Sequence, residues 1–280
     1  MLGGIGVLDI VGLLATGLRV APWELLHQLA MPAAMSSIAA YYHVSGRSDR
    51  LARTLSATAQ LFMLGLVGSI ASYLLIRMGR PFVDGWLIRF DMMMGLDWPA
   101  YCHFIEGLGP WVNTVLERLY ASSVAQIILV AIFLGYTDRS KRLAEFAGCF
   151  VLTAITVVVL GALLPALGAH HAYGIEDGGK ASFIPEIIAA HGRQVDLLNV
   201  ARVKGLVTFP SFHTAISLLL IIAMWRVGWV GWIVLVANVA VLVSVPVYGS
   251  HHFVDMLGGA VLTALAIWLW RTLLERRQIS

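Results

Sequence analysis

Long runs of apolar residues constrain the fold of this chain more than any other feature. A helix needs about 20 mostly apolar residues to cross the hydrocarbon core of a bilayer, and such segments recur along the whole sequence. Of the 280 residues, 59% are hydrophobic and 12% are charged, whereas soluble domains carry about 25% charged residues. The mean hydropathy of +0.82 agrees with this contrast. The sequence therefore predicts an all-α fold, a polytopic helical bundle in a membrane.

About eight segments are candidates for membrane-spanning helices. The first is the weakest candidate, because it is short and contains Asp9. The candidates cover residues 3–18, 23–42, 55–76, 121–136, 146–167, 212–227, 229–248 and 253–270.

Basic residues predict the orientation of these helices, because cytoplasmic loops of membrane proteins are rich in Lys and Arg. With eight spans, three basic segments fall on one side, which we predict to be cytoplasmic. They contain Arg47, Arg50, Arg53, Arg139, Lys141, Arg142, Arg271, Arg276 and Arg277. The opposite face would then lie in the periplasm, if the protein is in a bacterial inner membrane, or in the lumen of a eukaryotic organelle.

Three other features of the composition indicate no special partner. The net charge of +3 follows from the basic loops and predicts no nucleic-acid binding. Cys102 and Cys149 lack the spacing of a zinc or redox site, so we expect both to be structural. No Lys or Arg precedes the first apolar run, so we expect no cleaved signal peptide.

Two non-spanning stretches are predicted on the outer face. Residues 80–120 indicate amphipathic interfacial helices broken by Pro and Gly turns. Residues 170–208 are polar and long for a plain connection, and such loops often bind substrate. Three histidines in this second stretch match no zinc pattern, so we predict neither a metal nor another cofactor. They are His170, His171 and His191.

Two histidine-bearing segments carry the chemistry. Residues 209–214 read Phe-Pro-Ser-Phe-His-Thr, and residues 249–255 read Gly-Ser-His-His-Phe-Val-Asp. Asp255 follows His251 by four residues, which is one helical turn, so its carboxylate can fix the tautomer of that imidazole. A histidine held by Asp is a nucleophile or a base, and His213 from another helix can serve as the acid.

Both histidines are predicted at helix starts on the same face of the membrane. Ser211 suits a helix cap, and free N–H groups at two helix starts can attract one phosphate. Gly249 allows a tight approach at the turn, and His252 is expected to be interfacial or to support its neighbour. The alternative is that these are ordinary interfacial histidines and that the pair of His251 and Asp255 is only a local hydrogen bond.

The combination of Pro-Ser-x-His with His-x-x-x-Asp resembles the type 2 phosphatidic acid phosphatase superfamily of membrane proteins. More closely, it is similar to the branch of the fungal aureobasidin-sensitive inositol phosphorylceramide synthase and its bacterial relatives. The resemblance covers about residues 50–270. Further matching features are Arg80-Pro81-x-x-Asp84, Asp91, Gly95-x-Asp97-Trp98, Tyr120-Ala121-Ser122, Gln126 and Gly205-x-x-Thr208.

This resemblance implies roles for individual residues. His251 would attack phosphorus and form a phosphohistidine, and Asp255 would orient it. His213 would protonate the leaving group and then activate the incoming hydroxyl. Ser211 and nearby backbone N–H groups would hold the phosphate oxygens. The implied fold is a six-helix phosphatase-like core within residues 46–275, with catalytic helices at 205–270 and transmembrane helices at 1–45 ahead of it.

Two departures from the phosphatase pattern bear on the substrate. The phosphatases have Lys-x6-Arg-Pro in their first motif, but the Lys position here is Tyr73. They also have Ser-Arg ahead of the nucleophile, where this chain has Ser244-Val245. A site with fewer cations suits the single charge of a phosphodiester better than a monoester. Other cations, namely Arg80, Arg202 and Lys204, are candidates to bind the phosphate instead.

Three functions are compatible with these residues. The first is a transferase of sphingolipid type that moves a phosphorylated head group from a phospholipid donor to a lipid or polyol acceptor. The second is a lipid phosphate or pyrophosphate phosphatase that uses water at the same site. The third is a non-catalytic lipid-binding membrane protein. The sequence leaves the two lipids and the oligomeric state open.

Overall fold

The structure is a computed structural model and describes residues 2–175, 183–200 and 206–274. Helices dominate these residues, and they are connected mostly by short turns. The helices are α1 (Leu2–Thr16), α2 (Pro22–Val44), α3 (Asp49–Ile76), α4 (Asp84–Met93), α5 (Trp98–Gly107), α6 (Pro110–Ala121), α7 (Ser123–Tyr136), α8 (Ser140–Leu163), α9 (Ala169–Tyr173), α10 (Ile184–His191), α11 (Phe212–Ala223), α12 (Gly228–Tyr248) and α13 (Phe253–Leu274). Two strands, β1 (Arg19–Val20) and β2 (Leu197–Leu198), pair in parallel.

The helices form the membrane bundle that the hydropathy predicts, so the predicted fold class is confirmed. Among the described residues, α3, α8, α12 and α13 are long and apolar enough to cross a membrane. A fifth span results if α6 and α7 cross together, although a bend of 58° separates them. The chain is an integral membrane protein by this measure.

The predicted number of spans is larger than this count. Each of the eight predicted segments coincides with a helix, but α1 and α11 are apolar helices of fewer than 18 residues. At 1.5 Å per residue, the 12 residues of α11 extend about 18 Å, which is short of the roughly 30 Å hydrocarbon core. α2 is long enough to span, but it is less apolar than the helices counted as candidate spans.

The outer stretches differ from the prediction in two details. Residues 80–120 are helical and broken by turns, as expected, but α6 continues into α7 and belongs to the bent candidate span. In the second stretch, β2 attaches to β1 near the N-terminus. The sequence did not indicate these strands, because two residues are too few to show an alternating pattern.

Polar contacts place the three basic segments at one end of the bundle. Arg53 lies 3.3 Å from Asp138, and Arg142 donates to the carbonyl of Trp225 at 2.8 Å. Arg271 is paired with Glu145 at 2.7 Å. α11 and α13 both end here and begin at the opposite end, where the histidines lie. The 22 residues of α13 separate the two ends by about 33 Å.

Candidate active site

Ser211 begins α11 and attaches it to α13. Its hydroxyl accepts hydrogen bonds from the N–H of Thr214 at 3.3 Å and from the Thr214 hydroxyl at 3.1 Å. Its own N–H donates to the carbonyl of Asp255 at 2.9 Å. The helices approach so closely that a Cβ on Gly259 would lie 2.3 Å from the carbonyl oxygen of Ser211. Ser211 is fully buried and caps the helix, while its contact with phosphate stays a prediction.

The start of α11 has backbone donors to spare. The N–H groups of Phe212 and His213 have no hydrogen-bond partner among the described residues. At a helix N-terminus such groups point outward, and the helix dipole adds a partial positive charge. The start of α11 can therefore receive an anion beside His213.

His251 and Asp255 meet as their spacing predicts. Nδ1 of His251 lies 3.3 Å from Oδ2 of Asp255, and both side chains are almost completely buried. The same oxygen accepts the N–H of His252 at 2.9 Å. Because Nδ1 faces the carboxylate, Nε2 of His251 is the nitrogen left for chemistry. The 3.3 Å separation is long, as hydrogen bonds in unliganded sites often are.

His213 has a neutral partner that spacing did not indicate. The hydroxyl of Tyr120 lies 3.0 Å from Nδ1 of His213, and the two rings stack with centroids 4.1 Å apart. Tyr120 is at the end of α6, just before the bend into α7, and 93 positions separate it from His213. Only the family resemblance included this tyrosine, because nothing in the local sequence connects it with a distant histidine.

The two imidazoles face one another across a narrow gap. Their centroids are 6.3 Å apart and their planes make an angle of 58°. The two rings are therefore neighbours at the same end of the bundle.

Gly249 is at the crowded centre of this arrangement. A Cβ there would lie 2.5 Å from the His251 ring, 2.7 Å from the Val245 carbonyl oxygen and 2.8 Å from the Tyr120 hydroxyl. Its φ of −96° is open to any residue, so the missing side chain matters here rather than backbone freedom.

His252 is fully buried between two aspartates of α4, so of its two expected positions it does not take the interfacial one and lies beside His251 in the interior. Its Nδ1 lies 3.5 Å from Oδ2 of Asp91 and its Nε2 lies 3.9 Å from Oδ1 of Asp84. These distances exceed those of normal hydrogen bonds, so the contacts are ion pairs. Burial alone lowers the pKa of His252, but Asp84 and Asp91, with a contribution from Asp255, raise the pKa to about 9.

Of the predicted cationic ligands, only Arg80 lies in a described part of the chain, and it makes no hydrogen bond or ion pair with the two histidines. Arg80 is exposed, and its carbonyl accepts a hydrogen bond from His191 at 2.8 Å. Arg202 and Lys204 lie outside the described residues. Within the described parts of the chain, no Lys or Arg makes a hydrogen bond or an ion pair with His213, His251 or Asp255. Tyr73, at the predicted Lys position, is buried and its hydroxyl contacts Glu186.

Two histidines of the second outer stretch pack against aromatic rings. Among residues 2–175, 183–200 and 206–274, no group of three or more His, Cys, Asp or Glu side chains is arranged to hold a metal ion. His170 packs edge-on against Trp98, and His191 packs against Phe82.

The described residues thus form an all-α membrane bundle with two neighbouring histidines at the starts of two of its helices. A family model described as the PAP2 superfamily matches residues 85–269, a range that contains His213, His251 and Asp255. The chain belongs to the PAP2 superfamily, a family of lipid phosphatases and phosphotransferases. No curated protein and no solved structure matches the chain.

Proposed function

We propose that this protein is a membrane phosphotransferase that moves a phosphorylated head group between lipids, as inositol phosphorylceramide synthase does. One observation supports this most directly: two imidazoles 6.3 Å apart, each with a different partner on Nδ1. Such an arrangement suits a nucleophile and a separate acid–base group on either side of one phosphorus.

In the first step, Nε2 of His251 attacks the phosphorus of the donor phospholipid. An N–P bond forms while the bond from phosphorus to the lipid alkoxide breaks, and His213 in its imidazolium form gives the Nε2 proton to that alkoxide and becomes a neutral imidazole. The diglyceride leaves, and the head group remains on His251 as a phosphohistidine. Asp255 stabilises the positive charge that develops on the imidazole.

In the second step, the hydroxyl of the acceptor lipid approaches the phosphohistidine. His213, now deprotonated, removes the hydroxyl proton as the oxygen attacks phosphorus and the N–P bond breaks. His251 is released as a neutral imidazole and His213 regains its proton. Both steps leave the site ready for the next donor, which is a ping-pong cycle.

The distribution of charge favours a phosphodiester donor. Tyr73 and Val245 replace two cations of the phosphatase pattern, and backbone N–H groups of Phe212 and His213 are available instead. Neutral donors balance the single charge of a diester better than the two charges of a monoester. Arg80, Arg202 and Lys204 are the cations that we propose to join the phosphate when a substrate is bound.

We place the histidines on the periplasmic face of a bacterial inner membrane, or on the lumenal face of a eukaryotic one. The basic ends of α3, α8 and α13 support this orientation, because Arg-rich ends prefer the cytoplasm. The partners are then a phospholipid donor and a lipid or polyol acceptor from the outer leaflet.

A lipid phosphate or pyrophosphate phosphatase is the second candidate. Membership of a superfamily that includes phosphatases favours it, because water can take the acceptor position without any change of residues. The two functions differ in what attacks the phosphohistidine and in the donor, which is a phosphodiester for the transferase and a monoester or pyrophosphate for the phosphatase.

The test uses purified protein in detergent with phospholipids that carry labelled head groups, with and without ceramide or diacylglycerol, and with His251→Ala as the control. We expect a new labelled lipid only when the acceptor and His251 are both present. Release of phosphate or soluble head group regardless of acceptor would make the protein a phosphatase or a phospholipase instead. Inactivity towards every phosphoester would leave a non-catalytic lipid-binding protein.

A further inference from the structure

The start of α13, next to His251, is capped by a residue from another helix. The Asp91 carboxylate accepts the N–H of Phe253 at 3.0 Å and the N–H of Val254 at 2.8 Å. These are the first two amides of α13, which would otherwise be free to bind an anion. Asp91 therefore occupies the amides of Phe253 and Val254, whereas those of Phe212 and His213 at the start of α11 have no partner among the described residues. The predicted convergence of two helix starts on one phosphate does not extend to these two amides of α13.

A second aspartate of α4 holds the chain on the other side of His251. The Asp84 carboxylate accepts N–H groups from Leu167 at 2.9 Å and from Gly168 at 2.8 Å. The next residue, Ala169, donates to the carbonyl of Ser250 at 2.7 Å. Asp84 therefore positions the turn that contacts the residue directly before His251.

His252 lies between these two carboxylates, with Nδ1 3.5 Å from Asp91 and Nε2 3.9 Å from Asp84. The groups that face it are Asp84 and Asp91 from α4, Asp255 from α13 and, with ring centroids 6.1 Å apart, Tyr173 from α9. Two buried carboxylates that face the same ring repel each other, and a positive charge between them offsets this repulsion. A protonated His252 supplies that charge.

We propose that protonated His252 is a positioning residue for the reaction. With Asp84 and Asp91 it forms a clamp of one cation and two carboxylates that fixes the backbone on both sides of His251. The clamp thereby sets the direction of Nε2 of His251, and turnover requires the positive charge of His252. This inference rests on the proposed function, in which His251 is the nucleophile.

The clamp has a defined pH range. Because the pKa of His252 is raised in the folded protein to about 9 from an ordinary value of 6.5, its stabilising effect is complete below about pH 6.5 and is lost as the pH rises through about 9. The ion pair also depends on the charge of Asp84. Burial raises the pKa of this carboxyl, but His252 and the amides of Leu167 and Gly168 outweigh that effect, so the pKa lies below its ordinary value. The ion pair is therefore lost at the acid end only when the pH falls below the ordinary pKa of an aspartate.

The first experiment compares wild type with His252→Gln from about pH 6 to about pH 10. We expect wild-type kcat to fall as the pH passes about 9. In the variant, kcat should be about 10-fold to 100-fold lower at neutral pH with KM nearly unchanged, because a small misdirection of the nucleophile affects the chemical step. The fall near pH 9 should be absent from the variant. His103→Gln removes an exposed histidine of α5 and is the matched control.

A purely structural role gives a different pattern. His252→Gln would then lower the melting temperature while the folded fraction kept the wild-type kcat and pH profile, and that result would overturn the proposal. If His252→Gln does not fold, Asp84→Asn is the second variant. Removing one carboxylate should shift the alkaline fall to lower pH, and an unshifted profile would overturn the proposal equally.

A readout without substrate separates this inference from the proposed function. The melting temperature of wild type should fall more steeply above pH 9 than that of His252→Gln or Asp84→Asn. If no lipid is turned over but this difference is present, the proposed function fails and the clamp remains. If turnover is present but neither kcat nor melting temperature shows the difference, the clamp fails alone.

Discussion

The two histidines of the site have opposite surroundings. His251 is buried next to the carboxylate of Asp255, and the ion pairs of His252 lie directly behind it. His213 is only partly buried, stacks on Tyr120 and has a neutral hydroxyl on Nδ1. A carboxylate stabilises positive charge on an imidazole, whereas a phenol leaves its protonation free to change. The difference matches a nucleophile that becomes cationic and a group that passes a proton in both directions.

The two histidines also differ in how the fold holds them. The segment of His251 is fixed by α4, by the turn before α9 and by the Trp98 indole, which donates to the His251 carbonyl at 2.9 Å. His213 depends mainly on the cap of its own helix and on one ring from α6. A nucleophile needs a fixed direction of attack on phosphorus. An acid–base group tolerates more freedom, because proton transfer along a hydrogen bond accepts a wider range of angles than the formation of a covalent bond.

The largest expected effect separates the roles of the two rings directly. His251→Ala should lower kcat by at least about 10³-fold with every substrate, because no other group can form the covalent intermediate. His213→Ala should cost as much with a natural lipid but far less with a p-nitrophenyl phosphodiester, whose leaving group needs no acid. Initial rates with both substrates, and melting curves to verify folding, measure this.

An equal loss in both variants with the activated substrate would contradict the division of roles. Retained turnover in His251→Ala would remove it as the nucleophile.

The next effect tests the charge beside His251. Asp255→Asn should lower kcat by about 10³-fold, because an amide can hold the imidazole in the wrong tautomer and supplies no negative charge. The amide oxygen can still accept the N–H of His252, which Asp255 binds at 2.9 Å, so the start of α13 should stay intact. Near-normal turnover, measured beside an unchanged melting temperature, would mean that Asp255 is only structural.

Much of the fold was predictable, because every membrane helix must be apolar over most of its length and this pattern can be read anywhere in the chain. Apolar runs located the helices, and the basic turns correctly predicted that residues near Arg53, Arg142 and Arg271 share one end. The ends of helices were harder: α11 stops at Ala223, although the predicted span continued to Val227 and the apolar residues continue through Trp225. Apolarity shows what a bilayer accepts, but it does not show where backbone hydrogen bonding ends.

The site was predictable only where its partners are close in sequence. His251 and Asp255 are one turn apart, so their contact follows from helix geometry. Tyr120 and His213, or Asp91 and Val254, come together only through the packing of distant helices. Hydrophobic periodicity carries no information on such pairs, and His252 beside His251 gave no sign that α4 would enclose it.

A smaller effect is expected at Gly249, which lies between the His251 ring and the Tyr120 hydroxyl. Gly249→Ala places a methyl group 2.5 Å from the His251 ring and 2.8 Å from the Tyr120 hydroxyl, so both rings must move. A displacement of about 1 Å costs about 10²-fold in rate, and we expect a loss of that size in kcat. Gly68→Ala is the control, since nothing lies within 4 Å of its added Cβ. Equal rates for the two variants would show that the site adapts easily.

The smallest effect concerns the neutral partner of His213. Tyr120→Phe keeps the stacked ring but removes the hydroxyl 3.0 Å from Nδ1, so the imidazole loses the contact that selects its tautomer. We expect kcat to fall by about 10-fold with a lipid substrate and hardly at all with the p-nitrophenyl diester. Tyr101→Phe removes a hydroxyl that donates to the Val243 carbonyl, and it should change neither rate. A larger loss than that of Asp255→Asn would reverse the comparison, since the neutral contact would then matter more than the charged one.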